Sequence, residues 1–232
     1  MEEYTVNKSR DKRRGTEGGT GKTVTGEQLR QALLERYSPR MYEQISGGKA
    51  AVAGLGGLGS QIAVLLVRAG VGELLLVDFD RVELTNLNRQ VYDLSHLGMP
   101  KTEALAGILQ KINPYLKIRV KQEYVTEEKA GILFQEYPIL CEAFDKPEQK
   151  AMLVNTVLER CPEIVIVAGS GMAGYGSANS IVTRRKMRRL YICGDGETEL
   201  SEHVCLMSSR VAVCAAHQAN MVLRLLLGEE EV

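Results

Sequence analysis

A glycine-rich turn in the first third of the chain has the composition of a phosphate-binding loop. The stretch AVAGLGGLGS contains Gly54, Gly56 and Gly59 in the pattern G-x-G-x-x-G, with Gly57 as a fourth glycine. Glycines at this spacing let the chain turn out of a strand, bring backbone N–H groups close to a phosphate, and pack the next helix against the sheet. The N-terminus of that helix favours negative charge. We therefore predict that these glycines bind a nucleotide.

A carboxylate follows at the end of the next apolar run, where ELLLVDFD contains Asp78. In dinucleotide-binding proteins a carboxylate at this place accepts hydrogen bonds from ribose hydroxyls. The glycine turn and Asp78 suit NAD as well as ATP. An NAD-dependent oxidoreductase is therefore one hypothesis for this part of the sequence.

Polar residues just beyond this second strand favour ATP. Asp80 leads into TNLNRQ, which contains Asn86, Arg89 and Gln90, and Lys101 begins a later helix. Open parallel sheets bind ligands at the carboxyl edge of their strands, and a guanidinium group suits phosphate oxygens. A triphosphate that releases pyrophosphate needs this positive charge more than an NAD diphosphate does. The alternative is that Arg89 and Lys101 belong to a solvated surface.

Asp145 ends a third apolar run, in CEAFDKPEQK. A carboxylate at the carboxyl edge of a strand and near phosphates is a natural ligand for Mg²⁺. Alternatively, Asp145 caps the helix that begins at Pro147, and one residue could do both.

The overall composition excludes several classes of protein. A formal net charge of zero, with 25% charged residues, gives no support to binding of nucleic acid or of a membrane surface. The five cysteines are scattered and form no CxxC pair, so we predict neither a disulfide framework nor a structural zinc site. The apolar runs are well short of the roughly 20 residues that span a bilayer. The sequence predicts a cytoplasmic protein.

Apolar runs and helical patterns alternate along most of the chain. Residues 1–25 are polar and glycine-rich and are predicted to be a flexible leader, and residues 26–232 a single domain. A helical pattern from Gly26 is interrupted by Pro39. This alternation predicts an α/β, Rossmann-like fold with a largely parallel, doubly wound sheet and helices on both faces. Strands are predicted at 49–54, 73–80, 116–122, 138–144 and 163–171, in NSIVTR and in RLYICGD, and helices at 99–114, 126–137, 147–160 and 210–228, with one ending at Gly70.

Five motifs occur in order along residues 36–228: GLGGLGS, VDFDRVELTNLNRQ, MPK, INP and AFD. Together they resemble the ubiquitin-activating-enzyme-like superfamily, whose bacterial members include ThiF, MoeB and HesA. The stretches AGSGMAGYG, LYICGD and HQANMVLRLLL are most similar to the short ThiF-type proteins of anaerobic bacteria. That group adenylates the sulfur carrier ThiS in thiamine biosynthesis.

The resemblance implies an ATP-dependent adenylyltransferase. The C-terminal glycine carboxylate of a small ubiquitin-like carrier ending in Gly-Gly attacks the α-phosphate of ATP, which gives an acyl-adenylate and pyrophosphate. No general base is needed, because a carboxylate is ionised at neutral pH. At the positions that match the motifs, Asp145 is the implied magnesium ligand. The implied nucleotide contacts are Gly54, Gly56, Gly57, Gly59, Asp78, Asp80, Asn86, Arg89, Gln90 and Lys101.

The resemblance also implies a homodimer, in which an arginine upstream of the glycine turn reaches into the partner's site. RYSPRMYEQ offers Arg36 and Arg40, and we favour Arg40. The implied catalytic set is then Arg40, Arg89, Lys101 and Asp145.

Two departures from the family pattern concern cysteine. The paired CxxC motifs that hold structural zinc in ThiF and MoeB are missing. Some ThiF proteins use a cysteine to receive the activated carrier, and Cys193 and Cys205 are the candidates here. Cys205, in the polar stretch GETELSEHVC, is the more exposed-looking of the two. Because Leu206 and Met207 follow Cys205, we predict a packed and inert thiol there.

Three alternatives to a ThiS adenylyltransferase stay open. One is a relative that adenylates another carrier (MoaD-like), a small molecule or a modified tRNA. The second is the NAD-dependent oxidoreductase. The third is a non-catalytic nucleotide-bound scaffold, which the presence of Arg89, Lys101 and Asp145 disfavours.

Overall fold

One sheet organises the protein. The computed structural model describes residues 4–5, 24–198 and 204–232. The predicted leader lies outside these residues apart from Tyr4–Thr5 and positions 24–25, so its flexibility and the division into leader and single domain stay predictions. The strands of the sheet are β1 (Tyr4–Thr5), β2 (Lys49–Ala53), β3 (Glu73–Val77), β4 (Lys117–Lys121), β5 (Ile139–Glu142), β6 (Val165–Gly169), β7 (Val182–Met187) and β8 (Leu190–Gly194).

The strand order is β1-β4-β3-β2-β5-β6-β8-β7. All neighbouring pairs from β4 to β8 are parallel, and β1 and β7 are antiparallel to their neighbours at the two edges. The largely parallel sheet is therefore confirmed. The order reverses at β2, which lies between β3 and β5. In open parallel sheets the crevice outside the carboxyl ends of such strands is where ligands bind.

Helices cover the two faces of the sheet, as predicted for a doubly wound fold. They are α1 (Gly26–Leu34), α2 (Pro39–Ser46), α3 (Gly57–Ala69), α4 (Lys101–Ile112), α5 (Glu127–Leu133), α6 (Pro147–Arg160) and α7 (Ser208–Leu226). Strand β2 shows the arrangement clearly: Val52 packs in the core beneath α3, α4 and α7, and Ala53 packs in the core beneath α5 and α6. A strand buried on both faces needs apolar residues at every position, which is why the period-2 alternation is lost.

Short-range signals set where several helices begin and end. Pro39 does not kink one long helix; it opens α2 behind the N-cap Ser38, and α1 ends before it. Proline suits the first turn of a helix because the N–H it lacks would have no partner there. Helix α3 ends at Ala69, and its C-cap Gly70 has φ +91°. No helix among the described residues has both the length and the apolar character to cross a membrane.

Candidate nucleotide-binding site

A cleft of about 290 Å³ opens where the parallel strands end. Its walls come from the segments that follow β2, β3, β4 and β5, and from the start of α4. The lining residues are Gly54, Gly56, Gly57, Asp78, Phe79, Asp80, Arg81, Glu83, Asn86, Arg89, Gln90, Lys101, Glu123, Tyr124, Val125, Ala143, Phe144, Asp145, Lys146 and Gln149. The structure thus brings the predicted nucleotide contacts together, with the exception of Gly59.

The glycine turn fits its surroundings only without side chains. Gly54 has φ +89°, and a Cβ there would lie 2.7 Å from the carbonyl oxygen of Ala143. A Cβ on Gly59 would lie 1.8 Å from the carbonyl oxygen of Gly54. Gly59 therefore lies behind the turn and lets α3 pack against β2. The residues that line the cleft do not include Gly59, so they do not support its assignment as a direct nucleotide contact. They agree instead with the packing role that its position in the motif predicts.

Asp78 is buried and holds the glycine turn in place. One carboxylate oxygen accepts a hydrogen bond from the backbone N–H of Leu55 (2.6 Å), and the other accepts one from the backbone N–H of Asp80 (2.8 Å). Burial raises the pKa of Asp78, while the charge of Lys101 and the two N–H groups act in the opposite direction. Each carboxylate oxygen can accept a second hydrogen bond, so Asp78 can both support the turn and bind a ribose hydroxyl.

Lys101 is the first residue of α4 and is almost completely buried. Its Nζ donates to Oδ2 of Asp80 at 2.8 Å, and its backbone N–H donates to the carbonyl oxygen of Asp80 at 2.9 Å. This ion pair offsets the repulsion between a cation and the N-terminus of its own helix. Asp80, which is 46% exposed, is thus a partner of Lys101 as well as part of the cleft wall.

Two buried polar atoms on the same wall have no partner among the residues that the structure describes: Nε of Arg89 and Oε1 of Gln90. The Arg89 guanidinium does donate through Nη1 to the carbonyl oxygen of Thr85 and to the side chain of Asn88. Asn86 is occupied locally, since its Oδ1 accepts from the backbone N–H of Glu83. Buried polar atoms are nearly always hydrogen-bonded in native proteins. Arg89 and Gln90 both line the cleft, so its wall contains two buried polar atoms without a described partner.

Asp145 lines the cleft and is exposed, and its carboxylate has no partner within residues 24–198 and 204–232. The N-cap of α6 is Lys146, followed by Pro147, so the structure does not show Asp145 in the capping role. Among the described residues there is no group of three or more His, Cys, Asp or Glu side chains arranged to hold a metal ion. Mg²⁺ commonly binds through one or two carboxylates together with substrate phosphates and water, and Asp145 fits that mode.

Arg36 and Arg40 do not reach this cleft from within the same chain. Both are exposed, and Arg40 is the second residue of α2. Neither is among the lining residues. The predicted action of Arg40 in a partner's site stays a prediction.

The prediction that Cys205 is packed is wrong. The Cys205 side chain is exposed, with its sulfur 3.7 Å from Sδ of Met207. The physical reason is that its backbone is held instead: the carbonyl oxygen of Cys205 accepts from the N–H of Gly174, which leaves the side chain outside. Cys193 is buried in β8, and burial raises its pKa to about 11, so it is a poor nucleophile at neutral pH.

An aromatic pair on the rim of the cleft was not predicted from the sequence. The rings of Phe79 and Tyr124 meet edge to face with centroids 5.0 Å apart, and both are partly exposed. Phe79 stands between two predicted site residues, which is a usable signal. Tyr124 follows β4, and no sequence motif indicates that this segment lines the cleft. Aromatic faces of this kind can stack on a planar base.

Comparison with known proteins shows which family and which solved structures the chain resembles. Residues 28–232 match the ThiF family. The chain is 34% identical over 145 residues to a molybdopterin-synthase adenylyltransferase of Haemophilus influenzae, which covers 62% of the chain and 58% of the relative. It is 31% identical over 137 residues to the tRNA threonylcarbamoyladenosine dehydratase of Escherichia coli, covering 58% of the chain and 51% of the relative. The chain thus spans little more than half the length of these relatives.

Solved structures share the fold. The E. coli tRNA N6-threonylcarbamoyladenosine dehydratase TcdA, in complex with ATP, has a TM-score of 0.79 at 20% sequence identity. The match covers 89% of this chain and 97% of that one. E. coli MccB has a TM-score of 0.64 at 23% identity, covering 83% of this chain and 58% of that one. These matches confirm the Rossmann-like fold. Because the family match takes in the glycine turn, the cationic wall and nearly all of the sheet, the chain belongs to the ThiF family.

Proposed function

We propose that the cleft binds ATP and that the protein is an adenylyltransferase, which transfers AMP to a carboxylate and releases pyrophosphate. The observation that carries this proposal is the combination in one cleft of a glycine turn, the cationic side chains of Arg89 and Lys101, and an unpaired carboxylate. The molybdopterin-synthase adenylyltransferase among the relatives supports the chemistry, and the ATP complex of TcdA supports the nucleotide. Membership of the ThiF family favours ATP over the NAD alternative.

In this proposal the role of each residue follows from its position in the cleft. The backbone N–H groups of the glycine turn and the N-terminus of α3 bind phosphate oxygens, and Asp78 binds the ribose. Arg89 and Lys101 stabilise the negative charge that grows as pyrophosphate leaves. The Arg89 side chain lines the cleft, where its guanidinium would donate to one such oxygen. The attacking carboxylate needs no base, because it is already ionised.

Asp145 would hold Mg²⁺ together with phosphate oxygens. When bound there, Mg²⁺ supplies positive charge that neutralises the phosphates. Asp145 suits this task because its carboxylate is exposed to the cleft and is not engaged by another described side chain.

The finer proposal concerns the substrate. We infer that the carboxylate belongs to the C-terminal glycine of a small ubiquitin-like sulfur carrier ending in Gly-Gly, of the ThiS type used in thiamine biosynthesis. We also infer a homodimer in which Arg40 of one protomer acts in the site of the other. The motifs AGSGMAGYG and LYICGD support the ThiS assignment.

A modified tRNA is the second candidate substrate. It is favoured by the structural match to TcdA, which covers 97% of that chain, and by the two relatives named tRNA threonylcarbamoyladenosine dehydratase. A formal net charge of zero favours the protein carrier, since binding of a polyanion depends on neutralising its phosphates.

ATP–pyrophosphate exchange tests the proposal and separates the two substrates. We expect exchange that depends on a carrier ending in Gly-Gly and disappears when the terminal glycine is deleted. Total tRNA replaces the carrier in a parallel reaction, and a reaction with no substrate gives the background. Exchange that occurs with tRNA but not with the carrier would show that a modified tRNA is the substrate. Exchange with neither would contradict both substrate proposals.

A further inference from the structure

An ion pair between the fully buried Glu142 and the partly buried Lys150 supports the segment that carries Asp145. Glu142 is the last residue of β5, an interior strand between β2 and β6, and it has no exposed surface. Its Oε2 accepts a hydrogen bond from Nζ of Lys150 at 2.7 Å. A buried charge is costly even when it is paired, and a well-packed apolar pair is often as stable. Stability of the core is therefore a weak reason for these residues.

The ion pair holds both backbone polar groups of Phe144. The N–H of Phe144 donates to Oε1 of Glu142 at 2.7 Å, and Nζ of Lys150 donates to the carbonyl oxygen of Phe144 at 3.0 Å. On the preceding residue, the N–H of Ala143 donates to the carbonyl oxygen of Ala53 at 2.8 Å. The turn between β5 and α6 is thus attached to the glycine-turn strand on one side and to the Glu142–Lys150 ion pair on the other.

This turn forms one wall of the nucleotide cleft. Residues 143–146 all line it, and the carbonyl group of Ala143 faces Gly54 at a distance that leaves no room for a Cβ. Asp145 follows Phe144 directly, and its own carboxylate has no partner in the described parts of the chain. The position of that carboxylate therefore depends on the backbone of the turn.

We propose that Glu142 and Lys150 are positioning residues, which hold the Phe144 backbone so that Asp145 is presented to a divalent cation at the triphosphate. This inference rests on the proposed magnesium role of Asp145. Neither residue was predicted from the sequence to have a part in the site, because neither touches the nucleotide cleft directly.

Binding of Mn²⁺ tests the proposal independently of activity. Free Mn²⁺ is measured by electron paramagnetic resonance in the presence of a non-hydrolysable ATP analogue, with the Mn²⁺ that the analogue binds alone subtracted. We expect Lys150→Met to weaken Mn²⁺ binding about tenfold, which is the usual effect of losing a group that orients a metal ligand. Lys150→Arg keeps the charge and the donors and should restore most of the affinity.

A double variant keeps the test valid if Lys150→Met does not fold. Glu142→Gln combined with Lys150→Met removes both charges together and leaves no buried charge unpaired, so it should fold. Its affinity for Mn²⁺ should remain below that of the wild type, because the donor to the Phe144 carbonyl is lost. The matched control is Lys49→Met, since Lys49 pairs with the buried Glu73 at the opposite edge of the sheet. We expect wild-type Mn²⁺ affinity for this control.

Asp145→Ala separates failure of the inference from failure of the proposed function. If Asp145→Ala weakens Mn²⁺ binding while the folded Lys150 variants bind Mn²⁺ within about twofold of wild type, the positioning role is wrong. A lower thermal unfolding midpoint with unchanged Mn²⁺ affinity would likewise assign the pair a purely structural role. If Asp145→Ala also binds Mn²⁺ normally, the metal role of Asp145 is wrong, and the inference fails with it.

Discussion

Lys101 and Arg89 bring two positive charges to one wall of the cleft, and the protein holds them differently. Lys101 is buried and paired with Asp80, so its position is fixed by an ion pair before any ligand arrives. Arg89 is held through Nη1 alone and keeps a buried Nε without a partner among the described residues. A preorganised cation and an unsatisfied donor are the two features that stabilise charge on a phosphate at low reorganisation cost.

Replacing Lys101 tests its place in catalysis. Lys101→Met should lower carrier-dependent ATP–pyrophosphate exchange by about 10²–10³-fold, because one preorganised group for the leaving pyrophosphate is lost. The fold should survive, because Asp80 is 46% exposed and can be hydrated without its partner. Exchange and thermal unfolding are measured together. Arg30→Met, which breaks the exposed Glu27–Arg30 pair on α1, is the control and should leave exchange unchanged. Normal exchange in the Lys101 variant would remove it from the site.

At the scale of elements, the junction of β2 and α3 positions the nucleotide turn. The first turn of α3 approaches β2 so closely that Gly59 has no space for a side chain. From the other side, Asp78 at the end of β3 binds the backbone of Leu55. Two strands and one helix therefore fix the turn, and its geometry depends on packing as much as on the glycines that face the ligand.

Adding one methyl group at this junction should separate packing from ligand contact. Gly59→Ala should destabilise the protein by about 1–3 kcal/mol and weaken ATP binding, because α3 must move away from β2 to accept the Cβ. Urea unfolding and binding of a fluorescent ATP analogue measure the two effects. The control is Gly107→Ala in α4, where a Cβ meets no atom within 4 Å. That variant should gain about 0.5–1 kcal/mol and bind ATP normally. Wild-type stability and ATP affinity in the Gly59 variant would show that the junction can relax.

Other elements are joined at the same edge by a buried arginine that no motif indicated. Arg210, in the first turn of α7, donates to the carbonyl oxygens of Gly176 and Ser177 and pairs with Asp195. Burial raises the pKa of Asp195, but hydrogen bonds from Thr198, Glu197 and Arg210 outweigh it and bring the pKa to about 2. The glycine-rich segment after β6 is thereby attached to α7.

At the scale of the whole molecule, the sheet gathers the cleft from segments that are far apart in the sequence. Residues after β2, β3, β4 and β5 meet there because these strands are parallel neighbours. Arg40 lies outside this assembly, exposed on α2. A single chain thus accounts for every predicted catalytic residue except this arginine, which is consistent with the proposed dimer.

Mixing two inactive variants tests whether Arg40 acts across a dimer. Arg40→Ala and Lys101→Ala should each be inactive alone. An equal mixture, after subunit exchange, should regain about a quarter of wild-type exchange, because half the dimers are mixed and each has one intact site. The same mixture with Arg36→Ala discriminates between the two arginines. No recovery in the Arg40 mixture, or full activity of Arg40→Ala by itself, would contradict the role in trans.

Much of the fold and of the site follows from local patterns. The strands and helices that the alternation predicts are all present, and differ mainly in length: α5 ends at Leu133 rather than at Tyr137, because Phe134 and Tyr137 turn into the core. The apolar neighbours of Cys205 led to the prediction of a packed thiol, whereas its exposure depends on the pairing of its backbone with Gly174. The positions of Glu142 and Lys150 beneath Asp145 also have no local signal.

The sequence by itself determined the fold class, the glycine turn, and the identity of the cationic and acidic residues beyond it. These are properties of spacing and residue type, which act over a few residues at a time. Only the tertiary structure decided which atoms remain free for a ligand. Lys101 is paired with Asp80, and Gly59 is a packing position. Arg89 keeps a buried atom without a described partner, and the exposed Asp145 lines the cleft. The reason is that hydrogen bonding and burial depend on groups that meet across the sheet, and their separation along the chain does not reveal those partners.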